Sequence, residues 1–181
     1  MTEGRTGRRA DGRGRRVAVV ALLGALLLVP ADRVAAQFDA GIPVGSRAPV
    51  LTITDLEGKP VDLGAYLGKK PVLIEFWATW CGVCKALLPE LERVRKTYGD
   101  QIAMIGINIT VNDSRERVRR YLTAYRPPFV TLYDETGASS RAYDVPSTAF
   151  IVVVDAGGTV VYSGTGEDQD LVTAVKKAVG R

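Results

Sequence analysis

Residues 75–85 of the chain read EFWATWCGVCK. This stretch holds both cysteines of the 181-residue sequence, Cys81 and Cys84, with two residues between them. Cysteines at this spacing occur in structural disulfides, in metal sites and in redox-active dithiols. The residues around the pair, and the residue types that the sequence lacks, favour one of these three roles.

The segments on either side of the pair predict a strand followed by a helix. The run before it, PVLIEFW, is mostly apolar and rich in strand-forming residues, which is typical of a buried central strand. After the pair, apolar residues recur at helical spacing up to Gly99, a common helix end. These apolar positions are Leu87, Leu88, Leu91, Val94 and Tyr98. Cys81 then falls at the start of the helix, where unpaired N–H groups and the helix dipole favour a thiolate.

A thiolate at Cys81 can attack a disulfide, and Cys84, on the same helix face, can resolve the mixed disulfide that forms. A purely structural bridge across so short a loop would contribute about 2 kcal/mol. A structural zinc site needs about four Cys or His ligands, and the chain has two Cys and no His. We therefore predict a redox-active dithiol without metal or cofactor, with an inert staple and a metal site as the alternatives.

The absence of histidine also excludes several other classes of protein. A Ser-His-Asp hydrolase and a Cys-His protease need a histidine base, and a His-ligated haem needs a histidine ligand. None of these sites can be built from this chain alone.

The remaining segments predict an α/β fold. Two hairpins are expected, one in LTITDLEGKPVDL around Glu57-Gly58 and one in AFIVVVD and TVVYSG around Ala156-Gly157-Gly158. IAMIGINI predicts a second buried strand, SRERVRRYLTAY a helix capped by Asp113 or Ser114, and EDQDLVTAVKKAVG a final amphipathic helix. We expect one central mixed sheet flanked by helices on both faces. Its first crossover should be parallel and right-handed, and its last two strands antiparallel.

The first 36 residues have the layout of a secretory signal peptide. An Arg-rich start is followed by a 13-residue apolar run, Val17–Val29, and by the small residues Val34-Ala35-Ala36. The alternative is an N-terminal membrane anchor, although 13 helical residues span about 20 Å, less than a hydrocarbon core of about 30 Å. We expect cleavage near Ala36–Gln37, an extended lead-in over residues 37–46 and a folded domain over 47–181. The location should then be periplasmic or otherwise extracytoplasmic.

The basic excess of the chain lies in this leader. The leader carries seven Arg and three acidic residues of a chain with a formal net charge of +4, so the remaining residues are balanced. A nucleic-acid-binding protein would carry its basic patch on the folded body. We therefore expect no nucleic-acid partner.

Residues 75–85, with Pro89 five positions after the second Cys, resemble the active site of the thioredoxin superfamily. The most similar branch is that of the TlpA/ResA-type exported thiol-disulfide oxidoreductases. The resemblance extends over about residues 44–179. It includes GSRAPVLTITDLEGKPVDL before the active site, GKKPVLIEFWATWC leading into it, and a segment with SRERVRRYL inserted before the second half. It implies a thioredoxin-like fold with an N-terminal β-hairpin extension. It also implies client proteins with disulfides, apocytochrome c among the candidates, and a thiol donor in the membrane; we expect a monomer.

By position, the resemblance makes Cys81 the nucleophile and Cys84 the resolving, more buried thiol, with Trp80 covering the site on the substrate side. Glu75 stands where thioredoxins have a buried acid that accepts the proton of the resolving cysteine, whereas many proteins of this branch have an uncharged residue. A carboxylate inside an apolar strand is unfavourable unless it has a partner or titrates. We expect Glu75 to be a catalytic proton acceptor; the alternative is an acid on an exposed sheet edge or paired with a Lys.

One position departs from the family pattern. The family has a cis-proline facing the disulfide, and counting without gaps from Tyr143 places Ala149 there, three residues after Pro146. Either the loop is rearranged and Pro146 serves, or the cis-proline is absent and the peptide before Ala149 is trans, since a cis bond there would cost about 3 kcal/mol. Both residues are candidates for substrate binding.

The direction of electron flow is indicated by Val83, the residue before Cys84. An aliphatic side chain adds no charge that would stabilise a thiolate, which favours a reductant over an oxidant. Two other functions are kept as alternatives. One is a thiol peroxidase of the redoxin type, although the Thr that such enzymes have three residues before the nucleophile is Ala78 here. The other is a non-enzymatic binding module on the same fold.

Overall fold

A computed structural model describes residues 41–180, which belong to one compact unit. They form a seven-stranded sheet with the order β2-β1-β5-β4-β3-β6-β7. The strands are β1 Thr52–Thr54, β2 Pro60–Asp62, β3 Val72–Trp77, β4 Ala103–Asn108, β5 Val130–Tyr133, β6 Phe150–Val154 and β7 Val160–Thr165. The α-helices are α1 Gly82–Tyr98, α2 Arg115–Tyr125, α3 Ala138–Ala142 and α4 Leu171–Val179. Short 3₁₀ helices cover Leu63–Ala65 and Gly99–Gln101.

Strand β3 lies in the interior of the sheet, between β4 and β6, as its apolar sequence predicts. All six of its residues are buried, and it pairs in parallel with β4 and antiparallel with β6. The two predicted hairpins are confirmed: β1 pairs antiparallel with β2, and β6 with β7. The expected mixed sheet flanked by helices, with a parallel first crossover, is therefore present.

Helix α1 begins directly after Cys81 and ends at Gly99. It buries the stripe Cys84, Leu87, Leu91 and Val94 against the sheet. Gly99 has φ 53°, a positive value that glycine adopts without the steric penalty of a Cβ. The predicted helix and its end are confirmed.

The predicted cap of α2 is Ser114 rather than Asp113. The Ser114 hydroxyl accepts a hydrogen bond from the Arg117 N–H at 3.3 Å, while the Asp113 side chain is engaged elsewhere. Helix α4 is capped in the same way by Asp170, which accepts from the Thr173 N–H at 3.0 Å. Each cap satisfies N–H groups that have no partner inside the helix.

Two elements were not predicted, strand β5 and helix α3. Strand β5 has only four residues, and the buried ones, Leu132 and Tyr133, are consecutive, so its pattern does not alternate. It pairs in parallel with β4 and contacts β1 through Thr54 and Tyr133. Together with α2 it forms the inserted segment, and it joins the N-terminal hairpin to the rest of the sheet.

The core has two layers, one on each face of the sheet. One layer contains both cysteines with Trp77, residues of α1 and α4, and Val118 and Tyr121 of α2. On the other face, Phe76 and Phe150 pack with Leu63 of the first 3₁₀ helix and with Tyr143, which follows α3. The cysteine pair therefore lies on the face that carries the three longer helices.

The predicted signal peptide and its cleavage site lie outside the described residues. The described part of the predicted lead-in, residues 41–46, contains a turn closed by the Ser46 N–H and the Pro43 carbonyl at 3.2 Å. Within residues 41–180, no helix is both long and apolar enough to cross a membrane.

Candidate active site

The cysteine pair lies at the junction of β3 and α1. Cys81 is the N-cap of α1, and its Sγ accepts a hydrogen bond from the Cys84 N–H at 3.0 Å. The two cysteines form a disulfide, with their Cα atoms 5.3 Å apart. The sulfur of Cys81 thus occupies the position where the free N–H groups and the dipole of α1 stabilise a negative charge.

Both sulfur-bearing side chains are shielded from solvent in this oxidised state. Cys81 is 4% exposed and Cys84 is 2% exposed. Cys84 is the more buried of the two, as expected of a resolving thiol, but the difference is small.

Glu75 is buried in β3, at 1% exposure. It pairs across the sheet with Gly106 of β4 and Ile151 of β6, and it shares a face with Trp77. Its Oε1 has no hydrogen-bond partner within the described residues. Burial raises the pKa of the Glu75 carboxyl from 4.5 to about 8, because an apolar surrounding disfavours the charged form.

The two alternatives for Glu75 are wrong. The residue lies in an interior strand, β3, rather than at an edge of the sheet. Within residues 41–180, none of the ion pairs includes it. A carboxyl group whose pKa lies near neutrality can both release and accept a proton under physiological conditions.

An aromatic cluster encloses the side of β3 that carries Glu75. The Trp77 ring contacts Tyr121 of α2 at a centroid distance of 4.8 Å and Phe129 at 5.7 Å. Burial and then the nearby Glu75 carboxyl raise the pKa of the Tyr121 hydroxyl. Sequence reasoning missed Tyr121 because nothing in its local pattern shows that α2 packs over this part of β3.

Trp80, expected to cover the site, is 51% exposed. Its indole N–H donates to the Val111 carbonyl at 2.7 Å, so the ring is held against the loop that precedes α2. Val83 and Val111 are also exposed. Three exposed apolar side chains thus belong to the segments beside the disulfide.

The structure distinguishes the two interpretations of Pro146 and Ala149. Residues 41–180 contain no cis peptide bond, so Pro146 does not serve as a cis-proline, and it is exposed. Ala149 is buried in the same cluster as both cysteines and has φ 58°, which is rare for a residue with a Cβ. Its carbonyl accepts a hydrogen bond from the Gln169 side chain at 3.2 Å.

A metal site is an alternative role for a cysteine pair at this spacing. In the described part of the chain, residues 41–180, no group of three or more His, Cys, Asp or Glu residues is placed to hold a metal ion.

The fold and the pair of cysteines at a helix N-terminus define a thioredoxin-like thiol-disulfide oxidoreductase. The family model described as Redoxin matches residues 43–179, and the chain belongs to this family. It is a ResA-type member of the thioredoxin superfamily and a protein disulfide oxidoreductase.

Two relatives and one solved structure illustrate the similarity. The chain is 33% identical over 130 residues to the thioredoxin-like protein YneN of Bacillus subtilis, covering 70% of this chain and 75% of YneN. It is 29% identical over 127 residues to the thiol-disulfide oxidoreductase ResA of Bacillus thuringiensis, covering 68% and 70%. A secreted disulfide oxidoreductase of Mycobacterium tuberculosis superposes with a TM-score of 0.61 at 26% identity, covering 70% of this chain and 95% of that one.

Proposed function

We propose that the chain is exported and reduces disulfides in client proteins by dithiol-disulfide exchange at Cys81 and Cys84. The observation that carries the proposal is the position of the Cys81 sulfur at the N-terminus of α1, one turn from Cys84 and on the sheet face that holds the buried Glu75. This arrangement supplies a nucleophile, a resolving thiol and a proton acceptor.

In the first step, the thiolate of reduced Cys81 attacks one sulfur of the client disulfide. The client S–S bond breaks, a bond forms between Cys81 and the attacked sulfur, and the other client sulfur leaves as a thiolate that takes up a proton. The N-terminus of α1 favours the Cys81 thiolate because its N–H groups and dipole face the sulfur.

In the second step, the Cys84 thiol loses its proton and attacks the Cys81 sulfur. The Cys81–Cys84 disulfide forms, and the second client sulfur leaves and is protonated. Two electrons and two protons have then passed to the client. The oxidised chain returns to the dithiol when an external thiol donor, which we place in the membrane, reduces it.

Glu75 is the proton acceptor that we assign to the second step. Cys84 is buried, which disfavours its ionisation, so a base inside the protein is needed. Burial raises the pKa of the Glu75 carboxyl to about 8, so its ionised form is a much stronger base than an ordinary carboxylate. Such a base is better suited to accept the proton of a thiol.

Client proteins are proposed to bind along the exposed side chains next to the disulfide. Trp80, Val83 and Val111 offer apolar surface there. We include the loop before β6, with exposed Pro146 and buried Ala149, in the proposed binding region, because Ala149 belongs to the same buried cluster as both cysteines. Apocytochrome c is one candidate client, on the basis of resemblance alone.

Export is supported by the sequence of residues 1–36 and by the description of the Mycobacterium tuberculosis structure as secreted. An extracytoplasmic site also suits a chain whose two cysteines form a disulfide. Cleavage of the leader and a monomeric state complete the proposal.

The first test combines two cysteine variants in an insulin-reduction assay on the full chain. Cys81→Ser should abolish reduction, because the attacking thiolate is lost. Cys84→Ser should instead accumulate mixed disulfides, because the first step can occur but the second cannot. Full activity of Cys81→Ser would disprove the mechanism.

The direction of electron flow is tested by equilibrating the pair with defined thiol buffers. A reduction potential of about −270 mV, as in thioredoxin, would support a reductant. A potential of about −120 mV, as in DsbA, would mark an oxidant and contradict the proposed direction. A pair that does not exchange at all would contradict the function itself.

A further inference from the structure

The turn that leads into the nucleophile, residues Ala78–Cys81, connects β3 to α1 and is hydrogen-bonded to a distant loop, the one that precedes α2. The Cys81 N–H donates to the Ala78 carbonyl at 3.2 Å and closes the turn. Thr79 and Trp80 are its two central residues. We call residues 78–81 the active-site turn.

The first central residue, Thr79, is bound twice by one carboxylate. Asp113 Oδ2 accepts from the Thr79 backbone N–H at 2.8 Å, and Asp113 Oδ1 accepts from the Thr79 hydroxyl at 2.9 Å. The second central residue, Trp80, donates its indole N–H to the Val111 carbonyl at 2.7 Å. Both central residues are therefore attached to residues 111–113, which are 31 to 34 positions away in sequence.

The carboxylate that holds the turn is itself fixed. The Asn108 side chain, at the end of β4, donates to Asp113 Oδ2 at 3.0 Å, and the Ser114 N–H donates to Oδ1 at 3.1 Å. Four donors thus converge on one carboxylate. Hydrogen bonds to an ionised group are shorter and about twice as strong as neutral ones.

The backbone between Asn108 and Asp113 adopts a conformation that needs support. Thr110 has φ 63°, an outlier for a β-branched residue, and Asn112 has φ 52°. The Thr110 N–H donates to the Asn108 side chain at 3.0 Å, and the Thr110 hydroxyl donates to the Asp134 carbonyl at 3.2 Å. Strain of this kind persists where the surrounding contacts over-determine the backbone, and it clusters at functional sites.

Capping of α2 does not account for Asp113. The Ser114 hydroxyl already accepts from the first turn of that helix. The Asp113 carboxylate accepts from Ser114 itself but from no N–H of α2, and its two shortest hydrogen bonds go to Thr79. Its side chain therefore serves the active-site turn.

We propose that Asp113 is a positioning residue for disulfide exchange: its carboxylate fixes the active-site turn and so holds the Cys81 sulfur against the N-terminus of α1. The inference rests on the proposed nucleophilic role of Cys81. Loss of the carboxylate frees Thr79, lets the turn move and weakens the alignment of the sulfur with the Cys84 N–H.

The test compares Asp113→Ala with Asp113→Asn in the full chain carrying Cys84→Ser, where Cys81 is the one remaining thiol. Removing a negative charge near Cys81 favours the thiolate, but both variants lack that charge, so their difference reports the hydrogen bonds alone. Asn can still accept from the Thr79 and Asn108 N–H groups, whereas Ala cannot. The readout is the rate of Cys81 alkylation by iodoacetamide as a function of pH.

We expect the alkylation profile of Asp113→Ala to lie at higher pH than that of Asp113→Asn. At a pH below both pKa values, a difference of half a pKa unit corresponds to about threefold slower alkylation, because only the thiolate reacts. Thr79→Ala keeps the charge and loses one of the two bonds, so its profile should shift upwards from that of the parent by a smaller amount. If Asp113→Ala does not fold, the comparison of Thr79→Ala with the parent provides the test.

Asp55→Ala is the matched control. Its carboxylate also accepts two backbone N–H groups, those of Glu57 and Lys59 in the β1–β2 turn, but it does not touch the active-site turn. Its alkylation profile should coincide with that of the parent. Coincident profiles for Asp113→Ala and Asp113→Asn, with Thr79→Ala equal to the parent, would overturn the proposal. Because alkylation needs no client, this result is independent of whether the chain reduces insulin.

Discussion

At the scale of single residues, Glu75 links the chemistry of the site to the stability of the protein. Burial raises its pKa from 4.5 to about 8, so the folded state keeps a proton that the unfolded state releases between these two values. The contribution of Glu75 to stability is therefore greatest below pH 4.5 and falls as the pH rises towards 8, with a limiting slope of about 1.4 kcal/mol per pH unit.

Replacing Glu75 by Gln should remove this decline, because the amide does not titrate. We expect the free energy of unfolding of the oxidised Glu75→Gln variant to exceed that of the parent by a few kcal/mol at pH 8 and to approach it near pH 4.5. Denaturant titrations at pH 5, 6, 7 and 8 measure the difference. Glu167→Gln, at an exposed position, should keep the parent's slope. An equal decline in Glu75→Gln would show that another group causes it.

At the scale of elements, the environment of Glu75 depends on a glycine in the neighbouring strand. Gly106 of β4 lies beside Glu75 in the sheet, and the Phe129 ring, from the residue before β5, occupies the space above it. A Cβ at Gly106 would lie 2.3 Å from the Phe129 ring. The same ring contacts Trp77 at a centroid distance of 5.7 Å, so it cannot move without disturbing the cluster.

We expect Gly106→Ala to destabilise the protein by about 1–3 kcal/mol, the usual effect of overpacking a core. Gly82→Ala is the control, because a Cβ there meets nothing within 4 Å and alanine favours the first turn of α1. Its stability should equal or exceed that of the parent. Thermal and denaturant unfolding of both variants measure the difference, and an unchanged midpoint for Gly106→Ala would mean that Phe129 repacks freely.

The elements that could be predicted are those whose partners are local in sequence. The apolar run of β3, the helical spacing of Leu87, Leu91 and Val94, and the glycine turns of the hairpins each specify their own structure. Strand β5 could not be recognised in this way, because it is defined by pairing with β4 and β1 rather than by its own pattern. The role of Asp113 was missed for the same reason, since Thr79 is 34 residues away.

At the scale of the whole molecule, the site is assembled from separate parts of the chain. The end of β3 and the start of α1 contribute Glu75 and the two cysteines, the loop before α2 contributes Asp113, and the loop before β6 contributes Ala149. The cysteine pair and Glu75 could be located from one contiguous stretch. The positions of Asp113 and Ala149 depend on how the inserted segment and the second half of the chain pack against that stretch. The sequence pattern does not show this packing.

The redox state of the pair should also change the stability of the whole fold. Folding and oxidation form a closed thermodynamic cycle. The difference in unfolding free energy between the oxidised and the reduced chain therefore corresponds to the difference in reduction potential between the unfolded and the folded state. The conversion is about 1.4 kcal/mol per 30 mV. The disulfide restricts the unfolded chain by about 2 kcal/mol. Stabilisation of the Cys81 thiolate by α1 favours the reduced fold by typically 0.3 to about 1 kcal/mol.

The first of these two effects is larger, so we expect the oxidised chain to be more stable by about 1–2 kcal/mol at neutral pH. Protonation of the Cys81 thiolate at lower pH removes its stabilisation of the reduced fold, so the difference should grow as the pH falls. Guanidinium titrations of both redox states at pH 5 and pH 7 measure it. The double variant Cys81→Ser/Cys84→Ser should unfold identically with and without reductant. A reduced chain more stable than the oxidised one would place the potential of the fold above that of the unfolded chain, which would contradict this expectation and argue against a reductant.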